Sequence, residues 1–125
     1  MGDRINPEAA AIDALVQDYF LGIFEGDLER LERIFNPRCW LFGENRNGHH
    51  EFPVDGFLDQ IRSEPVPKEE GEPFDMRLVS VDHTASIAVA KVEARYQLRQ
   101  YTDYLMLQKT ADGWRIVSKA FFCAD

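Results

Sequence analysis

From Phe74 to Phe122 the chain alternates apolar and polar residues in segments near Phe74–Val81, Ser86–Tyr96, Tyr101–Lys109 and Trp114–Phe122. The breaks between them are short and made of turn formers: Asp82-His83-Thr84, Gln97-Leu98-Arg99 and Ala111-Asp112-Gly113. A period of two with such connections predicts an antiparallel meander, because a parallel pair needs a crossover of about a dozen residues or more. One face of that sheet has to be covered, and the cover must come from the first half of the chain.

That half supplies helices. Asn6 is an N-cap and Pro7 suits the first helical position. Ile12, Leu15, Val16, Tyr19, Phe20, Ile23 and Phe24 then recur with a 3.6-residue period. Gly26 ends this helix, and Asp27 caps a second one carrying Leu28, Leu31, Ile34 and Phe35, which Asn36-Pro37 terminates. Cys39–Phe42 is predicted as a short strand, apolar on both sides and so covered on both faces. Gly43 to Gly48 forms a polar turn or hairpin, and a short helix runs near Pro53 to Arg62. Ser63 to Pro73, with three prolines and four glutamates, is predicted as a solvated loop. The order gives an α+β class: a cone-shaped, curved antiparallel sheet of four to six strands, packed against three N-terminal helices. Residues 1–125 are expected to form one domain.

Alternation assigns faces. Ala88, Ala90, Val92, Ala94 and Tyr96 make one uncharged row of small residues, expected inside, where they leave room for helix atoms or a ligand. Tyr101, Asp103, Leu105 and Leu107 form the inner row of the next strand, and Trp114, Ile116, Ser118, Ala120 and Phe122 that of the last. Asp103 is the anomaly, because a carboxylate in an apolar row requires a partner or a job. The outer rows mix Ile87, Val89, Tyr104, Met106, Val117 and Phe121 with Lys91, Arg95 and Lys119, which predicts a homodimer through the outer sheet face.

Fourteen basic against 22 acidic residues give a net charge of −8, which disfavours nucleic acid and anionic membrane surfaces as partners. The opening Met-Gly-Asp-Arg-Ile-Asn-Pro lacks the apolar core of a signal peptide, so the expected address is cytoplasmic. Cys39 and Cys123 have no metal-ligand spacing and are expected as buried free thiols. Adjacent His49 and His50 point to opposite faces of a strand and supply at most one ligand to any site, so no metal is expected.

The segments Tyr19-Phe-Leu-Gly-Ile-Phe-Glu-Gly-Asp27, Phe35-Asn-Pro-Arg-Cys-Trp-Leu-Phe-Gly43, Asp103-Tyr-Leu-Met-Leu-Gln-Lys109, Asp112-Gly-Trp-Arg-Ile116 and Lys119-Ala-Phe-Phe122 resemble the nuclear transport factor 2-like superfamily. The chain looks closest to its bacterial branches described as putative lumazine-binding, polyketide-cyclase-like or ketosteroid-isomerase-like, which share the cystatin-like fold. The resemblance implies a cone-shaped pocket and no cofactor. Tyr19 matches the family tyrosine before the Gly-Asp turn, Asp103 falls close to the family acid, and Phe122 matches a pocket aromatic. The family's general base stands at the end of the first strand, which is Gly43 here, with Glu44 beside it.

Tyr19 and Asp103 are therefore the candidate catalytic pair, with His50 as a further candidate base. Phe20, Phe24, Leu41, Phe57, Ile61, Ala94, Tyr96, Tyr101 and Phe122 are the candidate ligand-binding residues. Three functions fit: a domain binding a small apolar or aromatic molecule, a cofactor-independent isomerase, cyclase or dehydratase acting on a carbonyl-bearing substrate, or a non-catalytic dimerisation module.

Overall fold

The computed structural model describes residues 6–124. Met1 to Ile5, on which most of the signal-peptide reading rests, lie outside the described residues. Three helices and six strands follow in the order α1 (Pro7–Glu25), α2 (Leu28–Ile34), β1 (Phe35–Asn45), β2 (Gly48–Pro53), α3 (Val54–Ser63), β3 (Met76–Thr84), β4 (Ile87–Tyr96), β5 (Arg99–Thr110) and β6 (Gly113–Cys123). The strands form one curved, unclosed sheet in the order β2-β1-β6-β5-β4-β3. Every neighbouring pair is antiparallel except β1 with β6, which run parallel.

Local signals place the helices as the sequence requires. The Asn6 side chain accepts from the amides of Glu8 and Ala9, and Gly26 closes α1 in the left-handed region at φ 67°. Asp27 accepts from the Arg30 amide and starts α2. α1 buries Ile12, Leu15, Val16, Tyr19, Phe20 and Ile23 against the concave face of the sheet. α3 covers the same face with Phe57, Leu58 and Ile61. No helix is long and apolar enough to cross a membrane among the described residues.

Three expectations are corrected. β1 is longer than Cys39–Phe42, and it is covered on one face only. Cys39 and Leu41 are buried while Trp40 and Phe42 stand exposed. In β6 the alternation reverses midway. Met106 pairs with Ser118 but Leu107 pairs with Ile116, so Val117 is an extra residue opposite the join. One inserted residue moves every later side chain to the other face. Lys119, Phe121 and Cys123 therefore turn inward, whereas Ala120 and Phe122 turn outward, Phe122 being 50% exposed. Third, the Ser63–Pro73 loop is not merely solvated. Pro67 is fully buried, Gln97 Nε2 donates to the Pro65 carbonyl, and the Leu98 amide donates to Glu72.

Candidate functional site

The concave face of the sheet encloses a cavity of about 260 Å³ under α1 and α3. Its walls are apolar and aromatic. Tyr19 and Ile23 come from α1, Phe57 and Ile61 from α3, and Tyr96 and Tyr101 from the ends of β4 and β5. Leu41, Phe52 and Phe121 line the side beneath β1 and β2, and Ala94 provides the space that a larger residue would fill. Asn45, His50 and Gln60 form a polar rim, with His50 and Gln60 exposed.

The floor holds three buried polar side chains. Tyr19 Oη donates to Asp103 Oδ2 at 2.6 Å, and Lys119 Nζ donates to Tyr19 Oη at 2.6 Å. Lys119 Nζ also lies 3.7 Å from Asp103 Oδ2. Asp103 pairs across the strands with Phe121, and Leu105 with Lys119, so the acid and the amine are diagonal neighbours on one face. The two side chains are only 3% and 7% exposed. A buried ion pair of this kind gains from its own attraction and from the bridging phenol, against a desolvation cost of several kcal/mol per ion, order of magnitude. Asp103 Oδ1 takes no hydrogen bond among the described residues.

Aromatic faces surround the cation. Lys119 Nζ stands 4.4 Å from the centroid of Phe57, 5.1 Å from that of Tyr19 and 5.7 Å from that of Phe121. Burial nevertheless pushes the Lys119 ammonium below the usual lysine range, even though Asp103 opposes the shift. Burial, and then the neighbouring Asp103 charge, pushes the Tyr19 phenol well above its ordinary value. Burial likewise raises Tyr96, and it moves Tyr101 to about 12. Cys39 and Cys123 are free and buried, and the Cys39 thiol is pushed up to about 11 by desolvation.

Of the candidates read from the sequence, the cavity brings together Tyr19, Asp103, Leu41, Phe57, Ile61, Ala94, Tyr96 and Tyr101, with His50 at its rim. Phe20 and Phe24 do not line it; both pack edge-on against Phe74, at 6.4 and 5.2 Å between centroids. Phe122 faces outward because of the irregularity in β6. His50 Nε2 lies 3.0 Å from Asn45 Oδ1, and Glu44 is exposed beside His49. Lys119, Phe121 and Phe52 were not among the sequence candidates. The signal for Lys119 was Asp103 itself: a lone acid in an apolar row calls for a cation near its cross-strand partner.

Three helices packed on a curved, unclosed six-stranded sheet are the arrangement of nuclear transport factor 2-like proteins. The chain is similar to a nuclear transport factor 2-like protein of unknown function from Silicibacter pomeroyi, at 26% identity and a TM-score of 0.80, covering 92% of this chain and 94% of that one. It is also similar to proteins of the same description from Shewanella baltica (21% identity, TM-score 0.85, 95% of each chain) and Methylobacillus flagellatus (20%, 0.83, 98% and 97%). The chain belongs to the family described as "Putative lumazine-binding", whose model matches residues 7–122. No curated protein matches the sequence.

Proposed function

We propose that this protein binds a small, planar, largely apolar molecule in the cone, without a cofactor, anchoring the molecule's polar end on the Lys119–Tyr19–Asp103 floor. The observation that carries this reading is the floor. A fold that needed only a packed core would bury apolar residues there, since replacing a buried ion pair by well-packed hydrophobes is often neutral or stabilising. Here an acid, an amine and a phenol converge at the bottom of an aromatic cavity. The volume of about 260 Å³ is close to the lower end of usual ligand sites, roughly 300–1,000 Å³, and suits a one- or two-ring compound. The family description supports the same class, because lumazine is a planar bicycle.

Two features weigh against an isomerase that moves a proton between carbons. Phe121 covers Gly43, where the resemblance would put the base, and Glu44 is engaged outside with His49. One feature favours a reaction: Lys119 is a buried amine in hydrogen-bond contact with Tyr19.

The outer sheet face suggests the assembly. Trp40, Phe42, Ile87, Tyr104, Met106 and Phe122 are all exposed on it, and a second copy of this chain is the proposed cover. Thermal-shift screening with flavin precursors, steroids and aromatic polyketide mimics, repeated on Tyr19→Phe and Asp103→Asn, tests the binding reading. Compounds that stabilise the parent chain should stabilise both variants less. Equal stabilisation of all three would place binding elsewhere.

A further inference from the structure

We propose that Lys119 captures a carbonyl compound covalently: its Nζ, set in the aromatic wall beside Tyr19 Oη and Asp103, condenses reversibly with a small aromatic aldehyde or ketone. The inference rests on the binding reading above and gives that site a ligand class.

The geometry has the parts such a step needs. Lys119 belongs to the cavity lining, and the polar neighbours of its Nζ are the Tyr19 hydroxyl at 2.6 Å and Asp103 Oδ2 at 3.7 Å. The neighbouring rings of Phe57 and Phe121 keep water from the amine and offer faces for a planar ligand. Desolvation favours the free amine, the form with a lone pair to donate. Tyr19 spans Lys119 and Asp103, so a proton leaving the amine has a hydrogen-bonded route through the phenol to the carboxylate.

The chemistry balances without an added reagent. The amine lone pair forms the C–N bond while the carbonyl π pair moves to oxygen, which takes a proton by way of Tyr19. The resulting carbinolamine passes a second proton from nitrogen, by way of Tyr19, to its hydroxyl, which leaves as water as the nitrogen lone pair forms the C=N bond. Taken together, an ammonium and a carbonyl give an iminium and water, with no change in oxidation level. The positive charge is on the same nitrogen before and after the reaction, so Asp103 faces a cation both in the resting state and in the product. The burial of a lone acid opposite this lysine is thus explained by the product as well as by the resting state.

The test treats the intact chain with benzaldehyde and sodium cyanoborohydride near neutral pH and maps the benzylated lysines by peptide mass spectrometry. The chain has Lys68, Lys91 and Lys109 as internal references. Lys119 should be labelled at least about tenfold faster than any of them, the advantage expected of a desolvated nucleophile. Benzyl alcohol, which fills the same space without a carbonyl, should slow Lys119 alone. Lys119→Arg should lose the fast adduct, and Tyr19→Phe should slow it without moving it to another lysine. If Lys119 reacts no faster than the exposed lysines while benzyl alcohol still raises the melting temperature, the amine proposal falls and the pocket reading stands. If Lys119 is slow and benzyl alcohol has no effect on melting, both fall.

Discussion

The end of the Phe121 ring lies over Gly43, where a Cβ atom would stand 2.2–2.3 Å from three of the ring carbons. The two residues are register partners in the parallel β1–β6 pair. A side chain at Gly43 and an inward ring at position 121 are therefore mutually exclusive, and this protein has chosen the ring. Gly43→Ala should force Phe121 off its position and destabilise the chain by about 1–3 kcal/mol, the usual range for overpacking. In a Phe121→Ala background the same change should do almost nothing. Urea unfolding of the four chains checks this, and equal losses in both backgrounds would mean the ring is not what Gly43 accommodates.

The floor should behave as one energetic unit. Lys119→Met leaves Asp103 buried without its cation and should cost about 3–5 kcal/mol. The Lys119→Met/Asp103→Leu double variant should recover most of that loss. Tyr19→Phe removes the hydroxyl that serves both ions and should cost about 1–3 kcal/mol. Additive losses in the double variant would show that the two side chains do not interact.

High pH should weaken the fold through its phenols. The pKa of Tyr19, Tyr96 and Tyr101 is raised by burial, in the case of Tyr101 to about 12. An acid with a raised folded pKa stays protonated after its unfolded counterpart has ionised. Its contribution is complete below pH ~10 and is lost as pH rises from there through the folded values. Absorbance titration should find these three phenols un-ionised at pH ~11 in the folded chain, with stability already falling. Ionisation of all four tyrosines near pH ~10 without unfolding would contradict the burial described here.

The sheet face carries its own prediction. Met106, 47% exposed, stands beside Tyr104 and Val89 on the outer surface. Met106→Glu should convert a dimer to a monomer by sedimentation velocity and leave the fold unchanged. A parent chain that already sediments as a monomer would remove the dimer reading.

How much of the site could be read beforehand depended on where the alternation was regular. β4 and β5 pair without interruption from Ile87–Gln108 to Tyr96–Arg99, so Ala94, Tyr96, Tyr101 and Asp103 could be assigned a face by counting. β6 could not, because nothing in Ile116-Val117-Ser118 announces a bulge, and one unpaired residue exchanged Phe122 for Phe121 and hid Lys119 among the outer cations. The helix posed a different problem. A 3.6-residue stripe is wide enough that Tyr19 and Ile23 reach the cavity while Phe20 and Phe24 reach Phe74, and periodicity alone does not separate the two directions. Trp40 and Phe42 misled for a third reason: the sequence reads as a strand covered on both faces, yet one face is bare.

Filling the cone tests the central claim most directly. Ala94 is fully buried on the cavity wall, and Ala94→Leu would place its added carbons in the space a ligand needs. Calorimetric titration of the best compound from the screen should show affinity reduced at least about tenfold, roughly 1.4 kcal/mol, in Ala94→Leu relative to the parent chain. Undiminished affinity in a folded Ala94→Leu protein would contradict the account.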